Sequence, residues 1–159
     1  MFRQLLFESA LDARIWFPPS PDTDVAAVEP FAPSVGLLIR YSGLRPEDRV
    51  LVVGPHILGH ILALAGRCAG VTGMRSSRFV RPGETREVVW FTDVADIDNE
   101  VIPVLKSLGI PRQIIIELVK PGLPEERSAT LAKLNETGFR FRQTCSLRDR
   151  VVLVGHRRG

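Results

Sequence analysis

Cysteine and long apolar runs are scarce in this chain of 159 residues, and each shortage excludes a class of protein. The two cysteines, Cys68 and Cys145, lack the spacing of metal ligands, so they indicate reduced, buried thiols. No apolar run is long enough to span a membrane, and charged residues interrupt the N-terminal stretch where a signal peptide would be apolar. The expected compartment is therefore the cytoplasm, with no membrane partner.

Positive charge comes from 18 arginines and only three lysines, which exceed the 18 acidic residues by three and give a formal net charge of +3. The arginines are spread along the chain, whereas a dedicated nucleic-acid-binding protein usually carries a denser basic stripe. We therefore expect no nucleic-acid partner. Apolar residues at 45% and charged residues at 25% are ordinary for a globular protein, and the length is sufficient for one domain with a buried core.

The first 33 residues differ in character from the rest of the chain. Residues 1–16 place apolar side chains at near-helical spacing, which predicts a short amphipathic helix. Five prolines between residues 17 and 33 predict an extended linker or surface loop. We therefore divide the chain into an N-terminal segment, 1–33, and a folded domain, 34–159, and expect any homodimer to form through the segment 1–33.

The domain alternates apolar, β-branched runs with helical stretches. The predicted strands are 49–53, 70–74, 87–91, 112–119, 139–147 and 150–157. The predicted helices are 34–43, 56–68, 96–108 with an interruption at Pro103, and 124–138 with Gly138 just past its end. Buried strands that alternate with helices predict a doubly wound α/β domain with a mostly parallel sheet, and the last two strands add an antiparallel C-terminal hairpin.

Several stretches carry a resemblance to a known family. "LIRYSGLRPEDRVLVVG" (Leu38–Gly54) is similar to the helix, turn and first strand before the cofactor loop of S-adenosylmethionine-dependent methyltransferases. "AGVTGM", "REVVWFTDV", "IELVKPG" and "LNETGFRFRQT" are similar to later strands and the passage into the hairpin. The resemblance covers about residues 34–156 and is nearest to the protein-isoaspartate methyltransferase branch. It implies a methyltransferase-like Rossmann fold and S-adenosylmethionine as the possible cofactor.

The cofactor loop departs from the family pattern of acidic–x–Gly–x–Gly–x–Gly. Val52 stands at the acidic position, Gly54 is retained, and His56 and Leu58 replace the second and third glycines. The glycines allow the backbone to approach the cofactor without a Cβ between them. The two larger side chains therefore add bulk where the methionine part of the cofactor would lie.

The end of the second strand departs from the family in two further ways. The family has Asp or Glu there to accept hydrogen bonds from the ribose hydroxyls, whereas Arg75 has donors and no acceptor. An arginine at this place suits a phosphate instead, as in NADP-binding domains, or is simply an exposed arginine in a basic turn with Arg78 and Arg81; the second interpretation is preferred. In addition, only residues 75–86 separate the second and third predicted strands, which is too short for the family's helix and additional strand. A whole strand–helix unit is therefore predicted to be missing.

Thr92 and Asp93 follow the third predicted strand and begin an acidic stretch that ends at Glu100. The resemblance implies that this strand carries the family's substrate-side motif, so the predicted cofactor-binding residues are Gly54, His56, Arg75, Thr92 and Asp93. The acidic stretch suits either a magnesium site or the simpler role of capping the next helix, and the second interpretation is preferred. No catalytic residue and no metal site are predicted, since His56 and His60 at helical spacing lack a third ligand.

These departures converge on one site and predict a degenerate cofactor motif. The preferred interpretation is a non-catalytic or weakly active module for binding or self-association. One alternative is an active methyltransferase that binds S-adenosylmethionine in an altered pose around Gly54, His56 and Asp93. Another is a Rossmann protein that binds NADP or a phosphate ligand through Arg75.

Overall fold

The computed structural model describes residues 14–17, 39, 42–55, 57–64, 67–109, 111–119, 122–146 and 150–158. The strands are β1 (Arg14–Phe17), β2 (Arg49–Val53), β3 (Gly70–Met74), β4 (Val88–Val94), β5 (Gln113–Val119), β6 (Phe139–Ser146) and β7 (Arg150–Arg157). The helices are α1 (Leu58–Leu64), α2 (Ile97–Glu100), α3 (Ile102–Ser107) and α4 (Pro124–Asn135). None of the helices in these described ranges is long and apolar enough to cross a membrane.

The seven strands of the described ranges form one sheet in the order β1-β3-β2-β4-β5-β7-β6. The central strands β3, β2, β4 and β5 are parallel, and β7 is antiparallel to both of its neighbours, β5 and β6. Helix α1 packs on one face of the sheet, and α3 and α4 pack on the other. The predicted doubly wound α/β fold with an antiparallel C-terminal hairpin is therefore confirmed.

The outer position beside β3 is occupied by β1, which pairs antiparallel with it from Arg14 opposite Met74 to Phe17 opposite Val71. In a doubly wound sheet of classic order, this position belongs to the strand that follows the second parallel strand. Here the described residues 75–87 contain no strand, only a short 3₁₀ helix, Ser77–Phe79. The predicted loss of a strand–helix unit is confirmed, and N-terminal residues of the same chain supply the edge strand.

The helix predicted over residues 1–16 is wrong at residues 14–16, which belong to β1. Pairing with the edge of β3 satisfies the backbone hydrogen bonds of these residues in an extended conformation, and local spacing contains no information about that distant edge. Residues 1–13 lie outside the described ranges. The boundary between residues 33 and 34 stays a prediction.

The helices and strands after residue 48 lie close to the predicted positions. Strands β2 and β3 have the predicted bounds, and the helix predicted over 96–108 is divided into α2 and α3, with Pro103 in the first turn of α3. Helix α1 is shorter than the predicted range 56–68, and α4 ends at Asn135. Gly138 follows α4 with a φ of 96°, a left-handed conformation that favours glycine after a helix end.

The core lies on both faces of the sheet, and α1 packs closely on one of them. A Cβ on Gly73 of β3 would lie 2.5 Å from Cδ1 of Ile61 and 2.8 Å from Cδ1 of Ile57, so this glycine allows the helix to pack closely on the strand. Trp90 of β4 is completely buried on the same face. This face therefore has little room for a change in side-chain volume.

Cys68 follows α1 as a free, buried thiol, as the sequence predicted. Burial raises the pKa of Cys68 to about 11, although a hydrogen bond with the Gly70 backbone acts in the opposite direction. The thiol donates to the Leu64 carbonyl oxygen at 3.1 Å. A thiol that stays protonated at neutral pH is a poor nucleophile, so Cys68 is a structural residue. The side chain of Cys145 lies outside the described part of the chain.

Candidate functional site

The carboxyl ends of β2, β3 and β4 border a cleft of about 190 Å³. Ligands of doubly wound sheets bind at this edge. Three of the five predicted cofactor-binding residues line the cleft: Gly54, Arg75 and Thr92. The other lining residues are Val53, Pro55, Ser76, Ser77, Phe91, Val94 and Glu100. The structure thus brings these three predicted residues together, while their contact with a cofactor stays a prediction.

Gly54 directly follows β2 and lies against Thr92 of the neighbouring strand β4. Its N–H donates to the Met74 carbonyl oxygen at 2.9 Å, and its φ is 153°. A Cβ at this position would lie 2.6 Å from the carbonyl oxygen of Thr92 and would also overlap the Thr92 side chain. The Thr92 hydroxyl itself donates to the Val53 carbonyl oxygen at 3.4 Å. The packing of β4 against β2 is therefore sufficient reason for glycine here, whether or not a ligand binds.

Arg75 is exposed at the mouth of the cleft, immediately after Met74 ends β3. Within the described part of the chain, its guanidinium forms no ion pair and no side-chain hydrogen bond. The place where the resemblance requires a ribose acceptor therefore carries five N–H donors and a positive charge.

Glu100 is the one carboxylate among the described residues that line the cleft. Its Oε2 accepts hydrogen bonds from the backbone N–H groups of Ala95 at 2.9 Å and Asp96 at 2.6 Å. Asp96 in turn caps α2, since its Oδ1 accepts from the N–H groups of Asp98 and Asn99. The acidic stretch therefore organises the start of α2, which agrees with the capping interpretation.

Asp93 does not line the cleft. It has a φ of 48° at a β-bulge between Phe91 and Val94, where the register between β4 and β5 shifts. Its Oδ1 accepts a hydrogen bond from Nη1 of Arg150 at 2.9 Å. Aspartate tolerates this left-handed conformation better than most residues, and a bulge redirects the side chain of its strand. The bulge therefore accompanies an ion pair with β7 that would compete with a role for Asp93 in holding a cofactor.

A buried polar network lies behind this bulge and was missed by sequence reasoning. Glu117 of β5 is 1% exposed and accepts from Nε1 of Trp90 at 2.8 Å and from Nη1 of Arg150 at 2.8 Å. Its Oε2 is also 2.5 Å from Nε2 of His60 in α1. Burial alone would raise the pKa of Glu117, but the hydrogen bonds from His60, Trp90 and Arg150 outweigh it and hold that pKa below its ordinary value. Glu117 is therefore an ionised carboxylate inside the core.

The sequence contains one signal that points to this network. Glu117 interrupts the otherwise apolar run "IIIELV" of the strongest predicted strand. A charged residue in a strand that is buried on both faces needs a partner in the core. The three partners come from α1, β4 and β7, so local spacing does not identify them.

The two remaining histidine predictions have different outcomes. His56 lies outside the described residues. His60 contacts Glu117 through Nε2, and its Nδ1 is buried without a hydrogen-bond partner among the described residues. Among the residues that the structure describes, no three His, Cys, Asp or Glu side chains are grouped to hold a metal ion.

Comparisons with solved structures find similar folds. Precorrin-6y C5,15-methyltransferase from Geobacter metallireducens GS-15 has a TM-score of 0.51 and 9% identity, over 77% of this chain and 87% of that chain. Magnesium protoporphyrin IX methyltransferase from Synechocystis PCC 6803 with bound S-adenosylmethionine has a TM-score of 0.54 and 16% identity, over 84% and 81%. A S-adenosylmethionine-dependent methyltransferase from Aquifex aeolicus has a TM-score of 0.53 and 14% identity, over 83% and 97%.

No family model matches the chain, and no curated protein matches it in sequence. Likeness at such low identity shows the fold alone, and one fold supports many activities. The nearer resemblance to the protein-isoaspartate branch stays a prediction. The sheet order, the C-terminal hairpin and the three similar structures agree on one conclusion: this chain has the Rossmann-like fold of the S-adenosylmethionine-dependent methyltransferases.

Proposed function

We propose that this chain is a methyltransferase-like binding module whose S-adenosylmethionine site is degenerate. The observation that carries the proposal is Arg75, which lines the cleft at the end of β3 where the ribose hydroxyls need an acceptor. Arginine has no acceptor, and the carboxylate on the cleft, Glu100, already accepts two backbone hydrogen bonds. A site in this state binds the cofactor weakly or not at all, so the module acts without methyl transfer.

The size of the cleft supports the same proposal. Ligand pockets usually enclose about 300–1,000 Å³, whereas this cleft has about 190 Å³. The family unit that would extend the site beyond β3 is missing, and the described residues 75–87 replace it with a short connection. The alternative of an active enzyme with an altered cofactor pose needs Asp93, and that side chain is paired with Arg150.

Calorimetric titration with S-adenosylhomocysteine tests the degenerate site. We expect no binding up to millimolar ligand, where affinity would be weaker than about −4 kcal/mol. Arg75→Asp is expected to strengthen binding, because it restores an acceptor at the end of β3. The matched control is Arg81→Asp, which makes the same charge change at an exposed position that does not line the cleft.

A dissociation constant of tens of micromolar or less in the unmodified protein would contradict the degenerate site. The chain would then be an active methyltransferase candidate, and the next step would be a search for its methyl acceptor.

The binding role is proposed to include self-association in the cytoplasm through residues 1–33. Residues 14–17 of this segment form the outermost strand beside β3, and edge strands pair readily with other chains. Sedimentation velocity of the full chain at several concentrations is expected to show a monomer–dimer equilibrium. A single monomeric species at all concentrations would contradict this part of the proposal.

A further inference from the structure

Among the described residues, the side-chain donors of residues 75–77 on the cleft have no hydrogen-bond acceptor. Arg75, Ser76 and Ser77 follow β3 in sequence and all line the same cleft. We propose that this cleft binds the phosphate group of a small phosphomonoester, with Arg75 as the ion-pair partner and the two serine hydroxyls as hydrogen-bond donors. The inference rests on the proposed function, since it requires that S-adenosylmethionine does not occupy the cleft.

Arg75 supplies the charge and the geometry that a phosphate needs. A guanidinium presents its N–H donors in a planar fork that matches two phosphate oxygens at once. Arg75 forms no ion pair within the described part of the chain, so an anion would not have to displace a carboxylate. Arg78 and Arg81 lie in the same exposed connection and add to the positive potential on this side of the cleft.

The two serines have hydroxyl hydrogens available to donate. Ser76 Oγ accepts from the Arg78 N–H at 3.4 Å, which uses an acceptor site of the hydroxyl and leaves its hydrogen. The Ser77 hydroxyl forms no hydrogen bond with any other described residue. Both serines are half-buried rather than fully exposed, so their hydroxyls face a restricted volume of solvent.

The rest of the cleft indicates which phosphorylated ligands fit. Val53, Phe91 and Val94 provide an apolar part, and the volume of about 190 Å³ suits a phosphate with a small substituent rather than a nucleotide. Glu100 adds a carboxylate that would repel a second anionic group. A phosphomonoester with a neutral or cationic substituent is therefore favoured over a polyphosphate.

Phosphorus-31 NMR titrations of the full chain with inorganic phosphate, pyrophosphate and phosphoethanolamine test the inference. We expect saturable binding of phosphate, stronger binding of phosphoethanolamine, and no gain for pyrophosphate. Arg75→Gln should weaken phosphate binding by about tenfold or more, because it removes a charged hydrogen-bond donor. Glu100→Gln keeps an oxygen for the Ala95 and Asp96 N–H groups and should strengthen phosphate binding.

Arg140→Gln is the matched control for net charge. Arg140 is exposed on β6 opposite His156, at the edge of the sheet remote from the cleft. Its substitution should therefore leave phosphate binding unchanged. Equal losses in Arg75→Gln and Arg140→Gln, or no saturable binding of phosphate at all, would overturn the inference. Tight binding of S-adenosylhomocysteine would instead overturn the proposed function, so the two failures are distinguishable.

Discussion

Replacing Glu117 with alanine is expected to lower the free energy of unfolding by about 3–5 kcal/mol, the range for breaking a buried ion pair. The substitution leaves the Trp90 N–H and the Arg150 guanidinium without the carboxylate that they contact, and removes the partner of His60 in the core. The measurement is equilibrium unfolding in denaturant at neutral pH, followed by circular dichroism.

The matched control is Glu87→Ala, which breaks an ion pair at the surface. Glu87 Oε1 is 2.9 Å from Nη2 of Arg49, and the two side chains are 36% and 53% exposed. Exposed pairs contribute about 0–1 kcal/mol, so Glu87→Ala should be much the milder change. Equal losses in the two variants would show that the network around Glu117 does not stabilise the core.

The pH dependence of stability provides a second test of the same carboxylate. The pKa of Glu117 in the folded protein is below its ordinary value of 4.5, so the unfolded chain binds more protons as the pH falls. Its contribution to stability is therefore present above about pH 4.5 and is lost as the pH falls through the folded-state pKa. The pKa of Glu87, lowered to about 2 chiefly by the Arg49 hydrogen bond, acts with the same sign. Glu117→Ala should make the acid-induced loss of stability less steep.

Gly54→Ala is expected to be the second strongly destabilising change, although alanine adds only one carbon. The backbone φ of 153° is rarely adopted by residues with a side chain, and such strain costs about 1–3 kcal/mol. The added Cβ would also lie 2.6 Å from the Thr92 carbonyl oxygen, and overpacking costs a further ~1–3 kcal/mol. Thermal and denaturant unfolding of the variant measure the combined loss.

Gly83→Ala separates the two causes. Gly83 also has a positive φ, 74°, but a Cβ there would meet nothing within 4 Å, so only the backbone strain applies. Gly54→Ala should therefore cost more than Gly83→Ala, and equal costs would contradict the close approach of Thr92. A Gly54 variant could lose ligand binding because it is destabilised. The binding tests therefore use variants of Arg75, which is exposed.

The central strands could be predicted from the sequence because each is marked by its own residues and their immediate neighbours. "RVLVV" and "GVTGM" are apolar runs bounded by turn residues, and both form strands with the predicted bounds. Pro103 likewise marks the division between α2 and α3, because it lacks an N–H to donate within a helix. Arg75 was placed correctly at the end of β3 by the same local pattern.

The parts that were not predicted depend on residues distant in the sequence. The extended conformation of residues 14–17 results from pairing with β3, and the role of Glu117 depends on three other elements. The left-handed conformation of Asp93 belongs to a bulge that forms where β4 meets β5. The resemblance implies a cofactor contact for Asp93, whereas the structure pairs its carboxylate with Arg150.

The antiparallel strand β1 has a consequence for the order of events during biosynthesis. Residues 14–17 leave the ribosome well before their pairing partners, which extend from Val71 to Met74. Chains are synthesised from the N-terminus, at about 5–20 residues per second. Strand β1 therefore stays without its partner for several seconds while β2 and β3 are still being made. Strand β1 therefore joins this edge of the sheet only after β3 has been made, however early its own residues leave the ribosome.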